Sequence, residues 1–280
     1  MKKTIFFGAS TGRTGTMHLA NALNAEEDCT CSHEGKFRIR EDSGEQILPF
    51  LTLENRIAYE YPERSDAIIA EKRSSIKDLE IEGSVFGDIA YNNSPFLRSL
   101  ARQFEDAKFI LLFRDGRTFV RSSTVTEGED EAPVGWPPGD KPLTQLERYI
   151  SLGRLQPRRS DPCHDAWENW DAFQKNTWLW TETNRLILSS LEDIDPSRWM
   201  IVHFEAFVQD KLNIYAQIRK FVGIRNEMSE KVKSVLLAPK INSRKHYGIP
   251  LYEHWDENQK NFFWNMAGEI MEKLGYEASK

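Results

Sequence analysis

The chain has only three cysteines, Cys29, Cys31 and Cys163, in 280 residues. They cannot all pair within one chain, which excludes a disulfide-built scaffold and suits a reducing cytoplasm. Long apolar runs are also missing. Stretches such as Phe109–Phe113 have the length of a strand, far short of a membrane span. Ile5-Phe6-Phe7 after two lysines has the outline of a signal peptide, but the run stops at Gly8 and turns polar, so a first buried strand is expected there. Positive charge is not in excess: 37 basic against 43 acidic residues leave a net charge of −6. The whole-molecule field therefore favours neither nucleic acid nor a membrane surface, and an anionic ligand needs local basic groups. Cys29, Cys31 and His33 lack a fourth ligand and Cys-x-x-Cys spacing, so they read as alternate residues of a short strand and no metal is expected. No repeat or low-complexity linker divides the chain.

What remains is the composition of a folded α/β protein, with 40% hydrophobic and 29% charged residues. Strands are expected at Lys3–Phe7, Ser84–Ile89, Lys108–Phe113 and Trp199–His203. Helices are expected at Thr16–Asn24, Pro95–Phe104 and Asp115–Ser123, with a long one over 164–190. Strands alternating with helices imply one domain over 1–280, built on a central, mostly parallel sheet flanked by helices. Ligands in such sheets bind at the carboxyl ends of the strands. Thr126–Pro142, with Glu127, Glu129, Asp130 and Glu131, reads as a surface loop. The stripe Trp167, Trp170, Phe173, Trp178 and Trp180 reads as core.

Gly8-Ala9-Ser10-Thr11-Gly12-Arg13-Thr14-Gly15-Thr16 lies between an expected strand and an expected helix. Backbone N–H groups and a helix dipole can cradle a phosphate at such a junction, with Arg13 adding charge and Thr14 and Thr16 adding hydroxyls. The loop departs from the nucleoside-triphosphate pattern: its glycines are one residue too close, and arginine stands where that pattern has lysine. The strand Phe109–Phe113 runs into Arg114, a cation where a metal-using enzyme wants an acid. Both features favour a phosphate binder that works without metal.

Gly12-Arg13-Thr14-Gly15-Thr16-Met17-His18-Leu19 resembles the 5′-phosphosulfate loop of sulfotransferases that use 3′-phosphoadenosine-5′-phosphosulfate (PAPS). Arg114, at a strand end, and Ser122, eight residues on, reproduce the spacing with which that family holds the 3′-phosphate. Ile201-Val202-His203-Phe204-Glu205-Ala206-Phe207, the basic triplet Ser243-Arg244-Lys245 and the ending Leu274-Gly275-Tyr276 extend the resemblance over nearly the whole chain. Two departures leave the phosphate-binding groups intact: Asp115-Gly116 replaces the family's Asn-Pro or Asp-Pro, and Met17-His18 replaces the commoner Thr/Ser-Trp.

The resemblance implies a P-loop-like sulfotransferase fold and transfer of a sulfuryl group from PAPS to a hydroxyl or amine of a small-molecule acceptor. Gly12 to Met17, Arg114, Ser122, Ser243, Arg244 and Lys245 are the expected donor-binding residues. Arg13 should also stabilise charge on the leaving group. The base that deprotonates the acceptor is left open among Glu34, which is preferred, His33, Asp88 and His18. The acidic segment and the aromatic helix point to a cationic or amphipathic acceptor. A P-loop kinase for a small metabolite or nucleoside, and a non-catalytic nucleotide-binding module of the same fold, are the alternatives.

Overall fold

The computed structural model describes residues 3–37, 46–47, 54–77, 83–124, 135–136, 154–239 and 247–277. Among these, seven strands form one sheet in the order β4-β3-β2-β5-β1-β6-β7. They are β1 (Thr4–Ser10), β2 (Cys29–His33), β3 (Lys36–Phe37), β4 (Gln46–Ile47), β5 (Val85–Ile89), β6 (Lys108–Phe113) and β7 (Trp199–His203). The five strands from β2 to β7 run parallel, and β3 and β4 continue the sheet antiparallel at one edge. Helices α1 (Thr16–Asn24), α2 (Glu54–Glu60), α3 (Ser65–Lys77), α4 (Leu97–Gln103) and α5 (Gly116–Ser123) belong to the first half of the chain. Helices α6 (Ala172–Leu191), α7 (Phe204–Gln209), α8 (Lys211–Val222), α9 (Glu230–Leu237) and α10 (Glu257–Lys273) belong to the second.

The period of two along a strand sends successive side chains to opposite faces, and here both faces are apolar. Phe7, Ala9, Phe109, Leu111 and Phe113 pack on one side with Leu97 and Leu100 of α4, Phe119 of α5, Trp180 of α6 and Phe263 of α10. Phe6, Ile110, Leu112 and Val202 pack on the other with Leu19 and Leu23 of α1, Ile218 of α8 and Leu236 of α9. Burial on both faces is what makes β6 an unbroken apolar run. From β1 the chain crosses by α1 to β2, on one side, while β6 pairs with its other edge. The carboxyl end of β1 is therefore the topological switch point, where a doubly wound sheet opens a crevice.

Element boundaries differ from expectation where a side chain decides them. β1 continues through Ser10, because its pairing with β6 reaches Ser10 opposite Leu112, and the loop shortens accordingly. The long aromatic helix starts at Ala172 rather than near 164. Asp171 caps it with a reciprocal box, its carboxylate accepting from the Gln174 N–H while the Gln174 side chain accepts from the Asp171 N–H. The short helices α2 and α3 and the edge strands β3 and β4 were not expected from the sequence.

Gly87 of β5 sits opposite Phe6 of β1, and a β-carbon there would lie 2.2 Å from the Phe6 ring. Phe6 is fully buried and cannot swing aside. Gly87→Ala should therefore destabilise the fold by about 3 kcal/mol through overpacking, read as a lower denaturant midpoint with unchanged slope.

Candidate active site

The loop after β1 is shaped by left-handed backbone at three positions, Gly12 (φ 78°), Arg13 (φ 55°) and Gly15 (φ 79°). Conformations of this kind turn backbone N–H groups into a concave anion nest. The Gly12 N–H is fixed by the Ser10 hydroxyl at 2.9 Å. Gly15 opens α1 without any side-chain cap, so the first-turn N–H groups of the helix remain available at the loop. Thr14 is fully buried, and its hydroxyl has no hydrogen-bond partner. A buried hydroxyl without a partner is costly unless a ligand or water completes it.

The second basic group arrives from β6. Arg114 follows the last residue of that strand and donates to the Arg13 carbonyl at 2.6 Å and to the Thr118 hydroxyl at 2.8 Å. Its guanidinium carbon stands 4.6 Å from the centre of the Phe204 ring. Burial lowers its pKa, opposed mainly by the negative charge of Glu205. Trp180 of α6 donates its indole N–H to the Arg114 carbonyl at 2.9 Å, which pins the strand end. Ser122 lies two turns along α5, and its hydroxyl accepts from Arg13 Nε at 3.0 Å. Of the expected donor-binding residues, Arg114 and Ser122 are therefore both in contact with Arg13. The Phe204 ring sits against Gly15 as well, 3.5 Å from where a β-carbon would be.

The four candidate bases fall in three different settings. Glu34 and Gly35 make the turn after Ser32 and His33, the last residues of β2, with Glu34 in the left-handed region at φ 54°. His33 Nε2 lies 3.1 Å from the Thr16 hydroxyl and 3.9 Å from Glu34 Oε1, so this pair borders the anion loop. The Glu34 side chain is 37% exposed, open enough to reach a ligand. Asp88 is 1% exposed and holds the turn instead. Its carboxylate accepts from the Ser32 hydroxyl at 2.6 Å, the Gly35 N–H at 2.9 Å and the Asn93 amide at 2.9 Å. Burial raises its pKa against those three donors. His18 is turned toward α9, with Nε2 2.9 Å from the Leu236 carbonyl, and burial lowers its pKa.

Ser243, Arg244 and Lys245 lie outside the described residues, as does almost all of Thr126–Pro142. The chain returns beside α5, where Tyr247 covers the Arg121 guanidinium at 3.9 Å and the Gly248 N–H donates to the Thr124 carbonyl. In the aromatic stripe, Trp167, Trp178 and Tyr59 pack on one another with Trp136 and Trp170. Trp180 joins the main core. Cys29 and Cys31 are free, buried residues of β2 whose thiols burial pushes up. Among the described residues no three His, Cys, Asp or Glu side chains converge as a metal site would require. No helix among them is long and apolar enough to cross a membrane.

Phe204, Glu205, Trp180 and Asn93 were not anticipated at the site. The first two stand directly after β7, in a segment whose sequence carried a signal of likeness but no indication of which side chains face Arg114.

A glycine loop and a strand-end arginine arranged in this way can hold an anion between them. The model of the sulfotransferase family matches residues 6–228. No curated protein matches the chain. Among solved structures, the sulfotransferase domain from the curacin biosynthetic pathway is 14% identical with a TM-score of 0.51, and the alignment covers 100% of this chain and 99% of that one. A sulfotransferase from Alicyclobacillus acidocaldarius is 12% identical with a TM-score of 0.52, covering 99% and 98%. The sulfotransferase STF9 from Mycobacterium avium is 12% identical with a TM-score of 0.56, covering 99% and 78%. At such identities the structures speak for a shared fold alone. The family match spans well over half of the chain, on the segment that carries the loop, Arg114 and Ser122, and the chain belongs to the sulfotransferase family.

Proposed function

We propose that the sulfuryl donor is PAPS and the acceptor a hydroxyl or amine of a small molecule. The observation that carries this reading is the contact of Arg13 with Ser122 and of Arg114 with the Arg13 carbonyl. It joins an anion loop to a second cationic site within one nucleotide's reach. The buried Thr14 hydroxyl, without a hydrogen-bond partner, fits an oxygen of the 5′-phosphosulfate. Arg114 and Ser122 fit the 3′-phosphate, the feature that separates this donor from ordinary adenine nucleotides. Transfer of a labelled sulfuryl group from PAPS to a panel of hydroxyl and amine acceptors, followed by mass spectrometry, tests the reading directly.

In the reaction the acceptor oxygen or nitrogen attacks sulfur, and the bond from sulfur to the bridging oxygen breaks. Adenosine 3′,5′-bisphosphate leaves with the electron pair. Negative charge grows on that bridging oxygen, where the loop N–H groups and Arg13 stabilise it. The acceptor proton passes to a base, for which Glu34 is the proposed residue. It is the more exposed member of the pair beside Thr16, with 37% of its side chain exposed against 19% for His33. His33 orients, and Asp88, buried behind the turn, positions both.

Arg114→Ala should weaken adenosine 3′,5′-bisphosphate binding by about 2–3 kcal/mol in titration calorimetry, through loss of a charge-assisted contact. Unchanged affinity would remove Arg114 from the donor site. Glu34→Gln should lower kcat by roughly 10²–10⁴ while leaving donor affinity intact, since glutamine keeps the shape but takes no proton. Asp88→Asn should behave differently. It turns an amide N–H2 toward groups that are already donors, so the thermal midpoint should fall by the equivalent of about 1–3 kcal/mol, with donor affinity retained. An inactive but fully stable Asp88→Asn variant would transfer the base role to Asp88.

A further inference from the structure

Beyond the donor-binding groups, one hydrogen-bonded chain ends beside Arg114 without touching it. Glu205, in the first turn of α7, has both carboxylate oxygens occupied. Oε1 accepts from the Asp115 N–H at 3.1 Å, and Oε2 accepts from the Tyr276 hydroxyl at 2.9 Å. A phenol has one proton, so a Tyr276 hydroxyl that donates to Glu205 must accept from its other neighbour, His203 Nδ1, at 3.1 Å. That assignment, made from the hydrogen-bond network, places the His203 proton on Nδ1. Helix termination sets the position of Tyr276. Gly275 (φ 76°) closes α10, the Tyr276 N–H returns to the Met271 carbonyl and the Gly275 N–H to the Glu272 carbonyl, the paired bonds of a Schellman ending. The Tyr276 ring then meets His203 edge-on at 5.5 Å.

Glu205 follows Phe204, the residue on which the Arg114 guanidinium rests. Burial lowers the Arg114 pKa and the Glu205 charge opposes that, yet no ion pair joins the two among the described residues; Nε and one Nη of Arg114 donate to Thr118 and Arg13, which leaves other guanidinium N–H groups for a ligand. A carboxylate with a free oxygen beside a half-buried guanidinium forms a two-pronged pair readily, and such a pair would compete with a phosphate for the same donors. We propose that Tyr276 is a positioning residue for the donor's 3′-phosphate: by occupying Glu205 Oε2 it keeps that carboxylate off Arg114. The inference rests on the donor reading above.

The test compares adenosine 3′,5′-bisphosphate with adenosine 5′-monophosphate in calorimetry on the full chain. Tyr276→Phe should weaken the bisphosphate about 3–10-fold, more at low salt because Glu205 is exposed, and leave the monophosphate unchanged. The thermal midpoint of the variant should stay close to that of the parent. Adding Glu205→Gln to Tyr276→Phe should restore bisphosphate affinity to within about twofold of the parent, since a neutral amide does not compete for Arg114. Equal bisphosphate affinity in parent and Tyr276→Phe overturns the inference. So does an equal loss for both nucleotides, or a double variant that stays weak, since each of these marks a role in packing only. Failure of the donor reading has a different signature: a parent protein that binds the bisphosphate no better than the monophosphate.

Discussion

The hydrogen bond from the Arg114 guanidinium to the Arg13 carbonyl joins the two strand ends between which an anion would be gripped. β1 and β6 are neighbours in the sheet, so the loop after one and the arginine after the other emerge side by side. The carbonyl acceptor fixes Arg114 relative to the loop and also orients the peptide of Arg13, whose side chain continues to Ser122. Trp180 holds the Arg114 carbonyl from the opposite layer. A protein of net charge −6 thus concentrates cations at one point of the fold through main-chain contacts. Charges held this way need little reorganisation when a ligand arrives, which is the condition under which electrostatic stabilisation of a leaving group is strongest.

The turn after β2 depends on a different kind of constraint. Asp88 is a buried carboxylate with three donors, one from β2, one from the turn after it and one from the Tyr91–Phe96 segment. Asn93 also reaches the Gly8 carbonyl at 3.1 Å, so the same cluster touches the strand that leads into the anion loop. Burial disfavours the charged carboxylate while each donor favours it. Removing any one donor therefore shifts the balance for the rest. The turn carrying His33 and Glu34 is tied in this way to the strand that carries the loop, with no covalent link and no side chain exposed to solvent between them.

Much of this was legible in the sequence because it follows from period and punctuation. The apolar runs at β1 and β6 are buried on both faces, and a run bounded by Gly8 or by Arg114 has few other readings. The Arg114 and Ser122 pair was singled out instead by a resemblance of motif and spacing, and both side chains contact Arg13. Other features depended on long-range partners that local sequence does not encode. The carboxylate of Asp88 is one of these, surrounded by donors from Ser32, Gly35 and Asn93. His18 stands just past the loop in sequence, but it occupies a position of α1 that faces Leu236 of α9. The early start expected for α6 failed on one residue, Asp171, whose capping box outweighs the apolar pattern before it. Glu205 and Tyr276 are 71 positions apart, and only the fold brings them together.

Two non-glycine residues among those described have positive φ, Arg13 at 55° and Glu34 at 54°. Left-handed backbone costs a residue with a β-carbon about 1 kcal/mol or more, and it persists only where neighbours over-determine it. Both cases meet that condition. The Arg13 carbonyl is captured by Arg114, and its side chain by Ser122. Glu34 is flanked by Ser32 and Gly35, both bonded to the same Asp88 oxygen. The two strained residues are also the proposed stabiliser of the leaving group and the proposed base, on the loops after β1 and β2. Left-handed backbone at Glu34 and Gly35 makes the two-residue turn by which β2 pairs antiparallel with β3, while Arg114 and Asp88 hold the two loops in place.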